Sequence, residues 1–426
     1  MLATAIVVLY ALLPITLLST HSLPSGIFYV LIATSVVLLF QKRFEGALEA
    51  ISKYRWLLIS YSLLFLVVTA SSLYHREWAG ANSEGALRFL VGLGILLIAL
   101  PHVNFQRMQQ AVWGVYAAGV ISTVILLWLI INVKARPLTP GVIITTYSSI
   151  MLLLSALAAY SLKWQLTPAT KVEVVLKIVV VGITFAGFLA AQTRTGLLGL
   201  PIFVVVGLLL FAGVARPKKL VMWLIVASVL FGAAVVSNGA LRERIAEGIQ
   251  EVQACHGENS TKYNSMCIRL QLWRTAIDAG TQHPWLGMGD GGKFIDYLQQ
   301  VAIPRGLAAQ YVVDEYFGEP HNDLLLMFFG FGLPGVFALL LIYLTPCLYF
   351  LPRLLNRNAS AQSRAAAAMG LAVCLGFFFF GLTETMFRRM NTVGFYSAMV
   401  AWFMVLSDPK GPQAGTTRQS GTSILP

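Results

Sequence analysis

His321 has the neighbours of a residue that could move a proton. It stands in Glu319-Pro320-His321-Asn322-Asp323, where a proline, a capping asparagine and an early acid mark the start of a helix. Imidazole changes protonation near neutrality, so a histidine fixed at such a start suits the work of a general base. A capping histidine with no part in chemistry would carry the same flanks. Arg194 lies in Gln192-Thr193-Arg194-Thr195-Gly196, between two apolar runs. Two hydroxyls and a glycine around one guanidinium are what a phosphate oxygen needs, although a snorkelling arginine at a helix end has the same setting. In Arg269-Leu270-Gln271-Leu272-Trp273-Arg274, helical spacing puts Arg269 and Trp273 on one face and turns Arg274 away. Arg269 is therefore the better ligand, and Arg274 a surface or headgroup contact. Lys262, Arg388 and Arg389 complete the candidate cations for an anionic substrate.

These residues border one long hydrophilic segment, 238–321, in which ten acids from Glu243 to Glu319 outnumber the lysines and arginines. The segment has no bulk positive field, so an anion there must be held by individually placed guanidiniums. His256, His283 and His321 show no ligand spacing and no Asp-x-Asp pair occurs, so the pattern calls for no metal and no cofactor. Gly287-Met288-Gly289-Asp290-Gly291-Gly292 lacks the Lys-Ser/Thr of a phosphate loop and reads as a flexible turn. Leu241, Ile245, Ile249 and Val252 recur on one helical face, as do Leu270, Trp273 and Ile277. Such helices lie on a bilayer or cover a cavity.

The rest of the chain must position that segment. Of 426 residues, 57% are hydrophobic and 11% charged, which excludes a water-soluble chain of this size. Apolar runs of spanning length recur with charge between them, predicting an all-α polytopic membrane protein with about twelve transmembrane helices. The predicted spans are 1–20, 25–41, 56–73, 86–101, 109–132, 139–161, 174–192, 196–214, 219–237, 322–346, 365–382 and 391–407. Domain organisation follows as spans one to nine over 1–237, the hydrophilic segment over 238–321, spans ten to twelve over 322–407, and a disordered tail over 408–426. The first run lacks a basic flank and a small-residue cleavage site, so it is expected to be retained as a helix. Lys42, Arg43, Lys53 and Arg55, then Lys163 and Lys171, then Arg216, Lys218 and Lys219, then Arg353, Arg357 and Arg364 weight alternate loops. That bias puts both termini in the cytoplasm and the long segment outside. The +12 net charge lies in these short clusters, which fits membrane lipids rather than nucleic acid.

The span interiors are read as free of Asp and Glu, with Asp323 and Glu384 at span edges. Ion-coupled transport usually needs intramembrane carboxylates, so transport becomes the runner-up class. Cys347 and Cys374 read as apolar filler, whereas Cys255 and Cys267 are either two free thiols or a short ring worth roughly 2–3 kcal/mol in an oxidising compartment.

Taken together, the motifs resemble a known family. His321-Asn322, nine residues and then Gly332-Leu333-Pro334-Gly335 are similar to the signature of bacterial O-antigen ligases, within the O-antigen ligase and polymerase superfamily. Gln192 to Gly196 is similar to that family's Arg-Ser/Thr-Gly motif, and Arg269, Trp273 and His283-Pro284-Trp285-Leu286-Gly287-Met288-Gly289 to its periplasmic-loop pattern. The resemblance covers roughly residues 180 to 390. It implies a metal-independent, inverting glycosyltransferase of GT-C-like architecture in the bacterial inner membrane, with a periplasmic active site. The implied donor is undecaprenyl diphosphate-linked O-antigen and the implied acceptor lipid A–core oligosaccharide. Carried over by residue, Arg194 and Arg269 would hold the diphosphate and His321 would act on the acceptor hydroxyl, with Trp273, Asn322, Arg388 and Arg389 as further substrate contacts. An O-antigen polymerase, which uses the same donor with a second lipid-linked glycan as acceptor, is the nearest rival; a protein O-oligosaccharyltransferase with a Ser or Thr acceptor is a third reading, and a lipid-glycan flippase is the rival from another class.

Overall fold

The computed structural model describes residues 1–78, 80–133, 137–212, 222, 225, 239–255, 263–315 and 317–408. Among the described residues the chain is helical and has no strand, as a backbone that must satisfy itself in hydrocarbon requires. The first apolar runs become α1 (Leu2–Ser19), α2 (Leu23–Gln41), α3 (Arg55–His75), α4 (Gly80–His102), α5 (Phe105–Asn132), α6 (Ile144–Lys163), α7 (Thr170–Ala190) and α8 (Thr195–Phe211). Two hydrophilic helices follow, α9 (Gly239–Ala254) and α10 (Ser265–Gln282). The chain then returns to apolar helices α11 (Asp323–Leu355), α12 (Ala361–Gly381) and α13 (Met390–Leu406). Among the described residues nine of the apolar helices are long enough to cross a membrane, and α8 and α13 are shorter. The protein is thus an all-α polytopic membrane protein. The predicted span 219–237 lies outside the described residues apart from Met222 and Ile225, and so does the tail from 409.

Lipid gives helices no hydrophobic reason to associate, so close approach of small residues does that work. Gly114 of α5 lies against the backbone of Ala11 in α1, where any side chain would collide. Every residue of α13 from Thr392 to Leu406 is buried, so this short helix runs inside the bundle. Helix α6 begins five residues later than predicted, at Ile144. Pro137 and Pro140 supply no amide hydrogen for a helix, and Gly141 presses on the carbonyl of Leu17.

Charge also enters the helices, contrary to the reading that it is confined to the gaps. Helix α7 begins at Thr170 and so takes in Glu173, which pairs with Lys177 at 2.6 Å, both side chains being almost wholly buried. Glu173 accepts from the Thr167 amide at 2.7 Å, and Lys177 donates to the carbonyls of Ser161 and Trp164. The pair staples the turn between α6 and α7, and each charge has its partners in place.

Helix α11 is broken at Gly332, whose φ of 65° is left-handed and favours glycine. The break opens carbonyls that the segment after α10 uses. Met288 N donates to Phe329 O and Gly289 N to Gly330 O, each at 2.9 Å, while Leu333 N donates back to Pro284 O at 2.7 Å. The Gly332–Gly335 and His283–Gly289 motifs therefore bind each other. Glycines 287 to 292 are not a flexible turn: Gly287 abuts the backbone of Gly330, Ser71 donates to Leu286 O, and Asn82 donates to Asp290.

The hydrophilic segment has its own core, in which Ile268, Leu272, Ala276 and Ala279 of α10 meet Phe294, Leu298, Val312 and Phe329. The buried face of α10 is thus not Leu270, Trp273 and Ile277, because Phe329 approaches from the other side and Ile277 is exposed. Ile249 of α9 is also exposed, and the side chains of Leu241, Ile245 and Val252 lie outside the described residues. Cys255 and Cys267 form a disulfide joining the end of α9 to the start of α10 across 12 residues. Closing a loop of that length restricts the unfolded chain by about 3 kcal/mol. Cys255→Ser with Cys267→Ser should accordingly unfold at a lower temperature, with proteolysis beginning in α9, in detergent thermal-shift and limited-proteolysis assays.

Candidate active site

The helix start at His321 is built by its two successors. Asn322 caps α11 by accepting from Leu325 N at 3.0 Å, and its amide donates to Leu382 O at 2.9 Å. Asp323, buried, accepts from the Tyr343 hydroxyl at 2.6 Å and from the amides of Met386 and Phe387. These bonds tie the turn between α12 and α13 to the head of α11. On the other side, Trp273 donates its indole N–H to Pro320 O at 2.9 Å. His321 is thereby held at a φ of 48°, a conformation that a non-glycine residue keeps only when its surroundings fix it.

The tied turn delivers Glu384 to His321, with Nδ1 3.0 Å from Oε1. Glu384 has a 1% exposed side chain, accepts from the Thr145 hydroxyl of α6 and takes the Thr385 amide at 3.2 Å. Burial pushes its carboxyl up, but the His321 hydrogen bond and charge, the Thr145 hydroxyl and the Arg389 charge outweigh that and bring it down to about 2. Glu319 lies 3.8 Å from the same imidazole nitrogen and is engaged by Arg388 at 3.3 Å and Arg389 at 3.7 Å.

The arginines meet the histidine around two cavities. The larger, about 1150 Å³, is lined by His321, Glu384, Arg269 and Arg389, with a polar far wall of Ser22, Ser25 and Asn391. The smaller, about 790 Å³, is lined by Gln192, Thr193, Arg194, Thr195 and again Arg269. Thr145 and Arg269 belong to both linings, so the seam between the cavities runs past a guanidinium and a hydroxyl. Arg194 turns its two terminal nitrogens to α9, Nη1 3.0 Å from Glu251 and Nη2 3.2 Å from Glu247. One Arg389 nitrogen, Nη1, is buried without a hydrogen-bond partner among the described residues.

Four of the predicted site residues, His321, Arg194, Arg269 and Arg389, line these cavities. Asn322 and Trp273 spend their polar groups on the helix head. Arg388 donates to Gly318 O and lines a separate cavity of about 180 Å³ beside Phe89 and Asp290. Lys262 lies outside the described residues. Sequence reasoning missed Glu384 and Thr145 beside His321, the pairing of Glu319 with Arg388 and Arg389, and Arg88, which holds the far wall through Ser25 and Met390 O. A buried acid at a membrane edge is costly enough to have been a signal for Glu384. Glu319, His321 and Glu384 also lie within 4.8 Å of one another, close enough to hold a cation, although no sequence spacing showed it. The two arginines on Glu319 and the hydroxyl on Glu384 already occupy those oxygens.

Residues 179–340 match the family model described as O-antigen ligase. The matched region runs from α7 into α11 and contains Arg194, Arg269, His321 and the Gly332 break; Glu384 and Arg389 lie beyond it. A protein of Haemophilus influenzae described as uncharacterized is 23% identical over 212 residues, which is 50% of this chain and 52% of that protein. The chain thus spans about half the length of the curated relative it matches.

Proposed function

We propose that this chain, a member of the O-antigen ligase superfamily, is a membrane glycosyltransferase that moves O-antigen from undecaprenyl diphosphate to lipid A–core oligosaccharide. The reaction takes place at the periplasmic face of the bacterial inner membrane. The observation that carries the reading is the pair of cavities meeting at Arg269, the smaller with Arg194 and the larger with His321 and Arg389. Two substrates and one reacting centre need that geometry.

The donor diphosphate lies between Arg194 and Arg269, and its glycan extends to the seam. The acceptor sits in the larger cavity with its sugar hydroxyl beside His321. The hydroxyl oxygen attacks the anomeric carbon, its proton passes to His321, and the carbon–oxygen bond to the diphosphate breaks. Undecaprenyl diphosphate leaves with the electron pair. Its growing negative charge meets two fixed guanidiniums, which stabilise it without reorganisation and without a metal. Attack opposite the leaving group inverts the anomeric carbon.

Purified protein in detergent, given a lipid-linked glycan and lipid A–core with excess chelator, is expected to join the two. Product from a second lipid-linked glycan alone would replace the ligase reading with a polymerase, and product on a serine peptide with a protein glycosyltransferase. Lipid-glycan translocation in vesicles without any new glycosidic bond would remove the enzyme reading.

A further inference from the structure

Two carboxylates approach Nδ1 of His321, and they are not equivalent. Glu319 is the more distant, at 3.8 Å, and is already paired with Arg388 and Arg389. Glu384 is at 3.0 Å, and its remaining hydrogen-bond partners are an uncharged hydroxyl and an amide. Those partners come from α6 and from the turn that Asp323 ties to α11. The carboxylate is therefore immobilised from three directions before any substrate arrives. Its cost of burial at a membrane edge would be avoided by a glutamine or an alanine. A charge kept there has work to do.

Resting on the transferase reading above, we propose that Glu384 is the positioning residue of the His321 base. It accepts the Nδ1–H of the neutral imidazole, so the proton sits on the nitrogen facing the protein and the lone pair sits on Nε2, the nitrogen left for the larger cavity. The same carboxylate stabilises the imidazolium once Nε2 has taken the acceptor proton, without itself being protonated. This division of labour is the one by which a carboxylate orients a catalytic histidine in the serine hydrolases. Thr145 acts one step further out by fixing the second oxygen of Glu384. Because Thr145 also lines both cavities, this anchor reaches the seam where the donor glycan is attacked.

The test compares Glu384→Gln, Glu384→Asp and His321→Ala as purified proteins, by single-turnover transfer rate, by binding of labelled undecaprenyl diphosphate, and by nitrogen NMR of labelled histidine. Glutamine keeps the shape and, because the Thr385 amide must still face an oxygen, accepts from Nδ1 with its carbonyl while its NH₂ meets the Thr145 hydroxyl, so it removes only the charge. Glu384→Gln is expected to lose about 10²–10⁴-fold in rate, the worth of the base that the charge supports, while donor affinity stays within about twofold and its His321 signal keeps the wild-type tautomer. Glu384→Asp, which keeps the charge, should recover part of the rate. Wild-type turnover in Glu384→Gln beside an inactive His321→Ala would overturn the positioning role and leave the transferase reading standing. Loss of donor binding in step with rate would show a merely structural residue. Wild-type turnover in His321→Ala would remove the base, and this proposal with it.

Discussion

Alanine at position 321 is expected to slow glycan transfer by about 10²–10⁴-fold, the usual worth of a general base, with donor affinity little changed. The substitution also removes the partner of a carboxylate whose side chain is 1% exposed, and an unpaired buried charge can cost about 3–5 kcal/mol. A lower melting temperature is therefore part of the prediction. His321→Gln separates the two effects, since its amide can still donate to Glu384 but cannot take up a proton; it should fold nearly as well as wild type and transfer as poorly as alanine. Transfer by purified protein is the deciding measurement, and in cells the counterpart is lipid-linked O-antigen accumulating while lipopolysaccharide stays rough. Near-normal turnover in both variants would sink the base assignment. Glu384 does not complicate a pH profile. Its carboxyl, lowered to about 2, adds stability that is present above the ordinary carboxylate range and lost only as pH falls toward that value.

What the sequence could and could not reveal follows from the range of each interaction. Hydropathy is summed over a contiguous run, so the apolar helices were legible, and so was the hydrophilic segment between them. The start of α6 was misplaced because the average over 139–161 hides Pro140, which supplies no amide hydrogen for a helix, and the helix begins only at Ile144. The motifs around Gly332 and His283 were legible as a resemblance, but not as two halves of one contact, since a broken helix whose carbonyls serve another segment leaves no periodic mark. The buried face of α10 was misread for a related reason: a helical stripe gives the apolar residues, and Phe329 decides which of them are covered. Glu384 is 63 residues from His321 and shares its second oxygen with Thr145. Nothing local links the three. The bonds that Asn322 and Asp323 make to the turn before α13 bring Glu384 to His321, and those are a property of the fold.

Arg194 gives a second large effect, and its sign can be checked from both partners. Its two terminal nitrogens each face one carboxylate of α9, Glu247 and Glu251, four residues apart on one helical face. Under the transferase reading a diphosphate must displace both, so what Arg194 contributes to donor binding is the difference between two sets of ion pairs. Phosphate oxygens in a fork geometry should win, because partly exposed carboxylate pairs are worth about 1 kcal/mol or less each. Charge-assisted bidentate bonds are stronger. Arg194→Ala is then expected to weaken donor binding by about 10–100-fold, at about 1.5–3 kcal/mol for a hydrogen bond to a charged group, and to lower turnover further as the leaving charge loses a partner. Arg194→Lys should recover less than half of the lost binding energy, since an ammonium is a point charge and cannot span two oxygens in a plane. Arg269→Ala, at the seam of both cavities, should depress turnover more than binding. Glu247→Gln combined with Glu251→Gln should act in the opposite direction and tighten donor binding by about fivefold, because the competing anions are gone while Arg194 remains. Titration of labelled undecaprenyl diphosphate into each purified variant reads the binding changes, and single-turnover transfer reads the losses in turnover. Unchanged donor affinity in both arginine-to-alanine variants would place the diphosphate elsewhere, and looser binding in the double glutamine variant would mean that α9 supports the donor rather than competing with it.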